Sequence, residues 1–390
     1  MKNNAVKYIV VGLVIYLVSA TGSYAFFSYG KEEGSKQVGQ IGTTDKMIDG
    51  PGFKIDPDAP KTEECPINGV MRTKVEKEWW EKHRPLGVMI ENHEEARPQS
   101  GLSKADVIYE AVAEGGITRF LGIYYCQDTK MLGPVRSARV YFIDLVSGYG
   151  DQPLYVHVGG ANTPGPADAL GMLSDLGWTG ENDLNQFSIG FPTFWRDYER
   201  LPDVATEHTM YSATSKLWQV GKERGFTNEN PKGKEWDNSF EPWKFKDDAG
   251  KGDRPESFIA GFNFWDGYKE YAVMWTYSPS DNSYKRSNGG KAHQDKNEGE
   301  QLAVKNVAFA FMSEKNVNDG YENNVHLAYG TTGSGKGVVL QDGKKIEGTW
   351  QKVKRTDMLR FFDLKGDEIE FNRGQTWVEI VPVGTEIDYK

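Results

Sequence analysis

The chain has 390 residues, a net charge of −10, 44 glycines, 13% aromatic residues and two cysteines. Such a length accommodates two or three domains with a substantial core, and the glycine- and aromatic-rich mix favours an α+β or β-rich protein over a helical bundle. No basic block follows the N-terminus, which argues against nucleic acid as a partner, and two cysteines outside any C-x-x-C pair exclude a cysteine-rich zinc module.

In chain order, Lys2 and Lys7 precede an uncharged run from Tyr8 to Gly30. That order reads as residues 1–30 forming a signal anchor or signal peptide, with one N-terminal membrane segment and everything beyond it outside the cytoplasm. Ser23-Tyr24-Ala25 also resembles a signal-peptidase site, so the same stretch allows secretion after cleavage at Ala25. Residues 31–62 are polar and rich in Gly, Pro and Asp, the composition of a flexible spacer. In an exported chain Cys65 and Cys126 are candidates for a disulfide; the other reading is two free thiols, with Cys126 buried in a strand.

The segment 74–83 (KVEKEWWEKH) predicts a short helix, and Leu86–Ile90 a buried strand. From Glu91 to Arg139, apolar runs (Val107–Tyr109, Phe120–Tyr125) alternate with turns carrying Asn92, His93, Arg97, Gln99, Glu114, Arg119, Arg136 and Arg139. Polar side chains on loops held by strands suit a ligand site. Arg119, Arg136 and Arg139 have two readings: recognition of a carboxylate or phosphate, or internal pairing with Glu110, Glu114 or Asp106. In PLYVHVGG, Leu154, Val156 and Val158 face one way, Tyr155 and His157 the other. A helix is expected from Pro166 through Leu170, Leu173 and Leu176 to Gly177, and a second near Ser215–Arg224. Between them a long aromatic loop carries Arg196 and His208.

Residues 227–257 lack periodicity and read as a linker between an α+β part at 63–226 and a mostly antiparallel β part at 258–390. In the latter, strands are expected at Tyr271–Tyr277, Ser283–Ser287, Val304–Met312, Val325–Tyr329 and Gly337–Gln341, with hairpin-type turns at Asp342-Gly343, Lys365-Gly366 and Arg373-Gly374. GTTGSGKG (330–337) differs from the phosphate-binding loop where it matters: Gly337 replaces the magnesium-binding hydroxyl, and a strand follows, not a helix. It reads as a glycine-rich turn. The six histidines form no HExxH or HxH pair, and no G-x-S-x-G elbow occurs, so spacing assigns no metal, no cofactor and no serine nucleophile.

The run RPLGVMIENHEEARPQSGLSKADVIYEAVAEGGITRFLGIYY, then GPVRSAR and YVHVGG, resembles the N-terminal domain of the YerB-like bacterial proteins. VKNVAFAFM, GSGKG, GTWQKVKRT and NRGQTWVEIVP resemble that family's C-terminal domain, so the likeness spans roughly residues 80–390. It implies an exported envelope protein with sheets layered against helices. Its signature residues here include Asn92, His93, Arg97, Gln99, Glu114, Arg119, Arg136, Arg139, His157 and His208, with Pro98, Ser100, Gly101, Gly115, Gly116, Thr118 and Ser137 among them. Two departures stand out: an apolar segment replaces the lipid-anchoring cysteine of many members, and CPING (Cys65–Gly69) replaces an Asn-Pro-Leu-Thr-Gly-like entry. The expected function is binding of an anionic envelope ligand, or of a cell-wall assembly partner, through a polar cleft in the first domain. The alternative is an envelope hydrolase or transferase using Glu114 with His93 or His157 as acid and base.

Overall fold

A computed structural model of the chain describes residues 48–49, 54–321 and 324–390. The expected membrane segment at Tyr8–Gly30 lies outside the described residues. Among those residues no helix is long and apolar enough to cross a membrane.

Thr73 and Glu76 start the first helix, α1 (Lys74–Trp80), as a capping box. The Thr73 hydroxyl accepts from the Glu76 N–H, and the Glu76 carboxylate accepts from the Thr73 N–H at 2.8 Å. The helix stops three residues short of the expected end. Strand β1 (Leu86–Glu91) follows, then the hairpin of β2 (Val107–Glu114) and β3 (Ile117–Tyr124). Gly115 and Gly116 join the hairpin with φ of 55° and 79°, backbone angles that glycine reaches at no steric cost. β1 pairs antiparallel with β3 and sets Glu91 opposite Arg119.

Arg139 leads into α2 (Val140–Val146). β4 (Leu154–His157) runs parallel to β1, and β5 (Asp183–Asn185) parallel to β4. β4 is buried on both faces, so Tyr155 and His157 lie inside along with the apolar side chains opposite them. The helix expected from Pro166 begins later, as α3 (Ala169–Asp175), because Asp168 caps it by accepting from the Gly171 N–H at 2.7 Å. α4 (Thr214–Glu223) sits close to its expected span.

Most strands of the second half fall in two sheets. A smaller one contains β6 (Ile259–Phe262), β7 (Val273–Ser278), β8 (Ser283–Asn288) and β9 (Lys291–Ala292). The larger sheet takes from this half β10 (Asn306–Met312), β11 (Gly333–Gln341), β12 (Lys344–Lys352), β13 (Arg360–Asp363) and β14 (Thr376–Pro382). β15 (Asp388–Tyr389) returns to pair with β6. β11 starts four residues earlier than expected, so Gly333–Lys336 of the glycine-rich stretch is strand, not turn. A side chain at Gly335 would collide with the Trp350 indole and the Phe311 carbonyl. There glycine serves close packing.

The larger sheet has ten strands in the order β13-β12-β11-β10-β14-β2-β3-β1-β4-β5. β14, near the C-terminus, is parallel to both β10 and β2 and so joins the two halves edge to edge. The smaller sheet covers one face, with Trp275 edge-on to Trp377 and Phe262 edge-on to Phe309. α2 lies against the other face, where the Tyr141 hydroxyl donates to the Val112 carbonyl at 2.8 Å. The fold is α+β, with strands dominating the second half. Cys65 and Cys126 are joined by a disulfide with their Cα atoms 6.1 Å apart.

Candidate functional site

The glycine turn after β2 brings Glu114 back over β3. One carboxylate oxygen accepts from Arg119 Nη2 at 2.8 Å, and the other accepts from Arg139 Nη2. The remaining Nη groups donate to main-chain carbonyls, Arg119 to Ser137 at 3.0 Å and Arg139 to Ala138 at 2.8 Å. Both guanidinium side chains are buried (3% and 5% exposed), while Glu114 is 27% exposed. Burial by itself would raise the Glu114 carboxyl, but the two arginine charges and their hydrogen bonds outweigh it and hold it at about 2. Burial, together with the charge of Arg119, lowers Arg139. The Nε atoms of Arg119 and Arg139 are buried without a partner among the described residues.

Glu91, buried at the end of β1, organises a second set. Its Oε1 accepts from Arg136 Nε at 2.9 Å, and its Oε2 lies 2.9 Å from His208 Nδ1. The hydrogen bond that His208 donates to Glu91 raises the pKa of His208. His208 stacks on His93, ring centroids 4.7 Å apart. Arg136, Arg139 and Glu114 line a cavity of about 350 Å³ with Asn162, Glu207 and His326. Arg119 stands behind Glu114, outside the lining.

Asn92, Arg97 and Gln99 lie elsewhere, in a buried network that joins the two halves. Asn92 Oδ1 accepts from Arg97 Nε (3.0 Å), Gln99 Nε2 (3.0 Å) and Asn288 Nδ2 (2.9 Å). Gln99 Oε1 faces His293 Nε2 at 2.7 Å, and His293 Nδ1 faces Arg286 Nη1 at 2.6 Å. Burial, followed by the charge of Arg286, drives the His293 pKa well down. The neutral ring then donates from Nε2 to Gln99 and accepts at Nδ1 from Arg286. Arg286 Nη2 reaches Glu110 Oε2 at 2.6 Å. His157 is enclosed, with Nδ1 2.6 Å from the Gly159 carbonyl and Nε2 2.6 Å from Asp183 Oδ1, and it ties β4 to β5.

The ten sequence-derived candidates therefore separate into a cavity group (Glu114, Arg136, Arg139, with Arg119 behind), a histidine pair (His93, His208), a buried strut network (Asn92, Arg97, Gln99) and the isolated His157. Glu91, Glu207, Arg286 and His293 were missed. Glu91 closes an apolar strand and carried no sign of its two partners. Arg286 lies in β8 and His293 just after β9, in the second half, and nothing in their local sequence marks their distant partners.

Two family models match the chain: "Protein of unknown function (DUF3048) N-terminal domain" over residues 71–227 and the corresponding C-terminal domain over 263–378. A curated relative, "Putative lipoprotein YerB" of Bacillus subtilis (strain 168), is 31% identical over 331 residues, covering 84% of this chain and 88% of its own. The crystal structure of the YerB protein from Bacillus subtilis superposes with a TM-score of 0.68 at 26% identity, covering 84% of this chain and all of that one. The relative's description corrects one expectation. It names a lipoprotein, not a protein with a membrane-spanning helix, and no described helix can span, so a single N-terminal membrane segment is not carried forward as a partner. The two domain matches, in order and covering most of the sequence, and the identity to YerB place this chain in the DUF3048 family of YerB-like proteins.

Proposed function

We propose that the chain is an extracytoplasmic, envelope-associated protein that binds an anionic ligand in the cavity bounded by Arg136, Arg139 and Glu114. The observation that carries this reading is the use of Arg136. Only its Nε is engaged, by Glu91, and its two terminal amino groups have no hydrogen bond among the described residues. They face a cavity where the buried Arg119 and Arg139 share a single carboxylate. A phosphate or carboxylate there would meet the planar fork of Arg136 donors, with Arg139 in the same lining.

The chemistry of the site favours binding over acid–base catalysis. A carboxyl held at about 2 is a poor proton acceptor near neutral pH, and both His157 nitrogens are already committed inside the fold. The test is calorimetric titration of the full chain with inorganic phosphate and with a soluble poly(glycerol phosphate) oligomer. Wild type should bind at least one of them, and Arg136→Gln should weaken that binding by roughly 10-fold or more, the loss of one bidentate charged contact. Equal binding by the variant, or none by wild type, would remove the anion reading.

A second reading, docking of a cell-wall assembly protein, is favoured by Phe187 and Phe191, which are 77% and 83% exposed within one short stretch. Loss of partner capture on changing both to serine, with phosphate binding intact, would select it.

A further inference from the structure

We propose that His93, Glu95 and His208 form a binding site for one divalent transition-metal ion of the zinc type. One ligand atom from each residue lies within 4.8 Å of the other two. Two 3-10 turns carry them: Glu94–Ala96, which His93 caps, and Thr206–Thr209, which contains His208. The ligands therefore come from chain segments more than a hundred residues apart and meet only in the folded protein.

The surroundings of His208 select its free nitrogen. Nδ1 faces the Glu91 carboxylate at 2.9 Å, so Nε2 is the nitrogen left for a metal, which would take the place of any proton there. Nε2 points at Glu95 Oε2, 3.5 Å away. Glu91 is in turn fixed by Arg136 Nε at 2.9 Å. A buried carboxylate on the far nitrogen of a histidine is the arrangement that orients imidazole ligands and raises their basicity toward a metal. His93 has one long contact to release, Nδ1 with the Glu95 N–H at 3.3 Å. Its ring lies nearly parallel to that of His208, at 12°. The Glu95 side chain is about half exposed and can swing the short distance needed to bring all three donors to ~2.0–2.2 Å from one ion. Two imidazoles and one carboxylate leave a fourth position open to solvent, the pattern of sites that bind water or a ligand oxygen on the metal.

Other groups are already committed. Among the described residues the other convergence of potential ligands, Cys65, Asp106 and Cys126, is closed by the disulfide, and both His157 nitrogens have partners. The proposal is independent of the anion reading, since it needs neither Arg139 nor Glu114 and holds with the cavity empty.

The experiment uses untagged full chain, stripped with a chelator and held in phosphate-free buffer. It is titrated with Zn²⁺ against a chromophoric chelator, and separately with Co²⁺ while visible absorption is read. Expected are one equivalent of tightly bound metal, a cobalt spectrum of four- or five-coordinate type, and a rise in melting temperature with zinc. Glu95→Gln and His93→Gln remove solvent-accessible ligands, so their metal-free melting temperatures should match wild type while zinc affinity falls at least ~10-fold in each. Glu223→Gln, a change at an exposed carboxylate on α4, should bind as wild type does. The proposal is overturned if wild type binds no more zinc than the His93→Gln/Glu95→Gln double variant, or if cobalt remains six-coordinate; the stack is then an imidazolium held between Glu91 and Glu95. Failure here would leave phosphate binding at Arg136 untouched, so the two readings stand or fall separately.

Discussion

Glu114 neutralises two buried guanidinium groups at once, and its behaviour follows from that. Its carboxyl titrates at about 2 in the folded chain against an ordinary value of 4.5. A lowered carboxyl pKa stabilises the fold above the unfolded value, and that contribution is lost as pH falls from about 4.5 toward 2. The shift corresponds to ~3 kcal/mol at neutral pH. Glu114→Gln should abolish this acid-side loss and leave Arg119 and Arg139 buried and unpaired, costing ~3–5 kcal/mol at pH 7. Urea unfolding of both proteins across pH 2–7 measures it; parallel curves would contradict the pairing. The two neighbouring arginines should differ. Arg139→Gln strands Glu114 with one partner and should lower the melting temperature by on the order of 5 °C. Arg136→Gln removes a quarter-exposed group with one engaged nitrogen, and should cost ~1 kcal/mol while weakening the proposed anion binding. Equal melting losses would assign Arg136 to the scaffold.

Pairing between β2 and β14 places Glu110 directly beside Glu379, both wholly buried. β8 supplies one guanidinium, Arg286, which lies over the Trp377 ring at 4.6 Å and bonds Glu110. One cation cannot hold two adjacent carboxylates ionised. Burial, then the charge of Glu110, pushes the Glu379 pKa well up, so Glu379 keeps its proton and accepts from Trp275 Nε1 at 3.0 Å. A raised carboxyl pKa stabilises the fold fully below the unfolded value and loses that contribution as pH climbs from there toward the folded value. Glu379→Gln mimics the protonated form and removes this loss, so it should be at least as stable as wild type at pH 7. Arg286→Met should be strongly destabilising, by ~3–5 kcal/mol, because it leaves Glu110 without its cation. Chemical denaturation at pH 7 decides; a Glu379→Gln variant several kcal/mol weaker than wild type would show that Glu379 is ionised.

At the scale of the whole molecule, the two halves share one sheet and one buried network. A fragment ending at residue 257 would expose the β2 edge that β14 covers and leave Glu110 without Arg286. Expressed alone, it should be insoluble or lack cooperative unfolding, whereas the whole chain should show one transition from β2 through β14 by hydrogen exchange. The Cys65–Cys126 link closes 61 residues of the first half, and on the chain-entropy model its reduction should cost ~4 kcal/mol. Non-reduced peptide mapping should find the two cysteines linked, and dithiothreitol should lower the denaturation midpoint.

Local periodicity and turn chemistry were enough to read the hairpin turn at Asp342-Gly343, the buried strands and the short helices. Side-chain alternation and glycine backbone freedom act within a few residues, so they are written locally. The same reading found Asn92, Gln99, Glu114, Arg119, Arg136 and Arg139, because polar groups crowded around apolar strands are visible at short range. Their division into a cavity, a strut network and a histidine pair was not visible. Arg286 meets Glu110 across 176 residues, and Glu379 meets the same strand later still. Which strand lies beside which is chosen by packing the entire sheet, and no local pattern records it. Tertiary structure alone decided that Asn92 is a strut, that Glu114 is a fixed anion between two cations, and that His93 and His208 stand face to face.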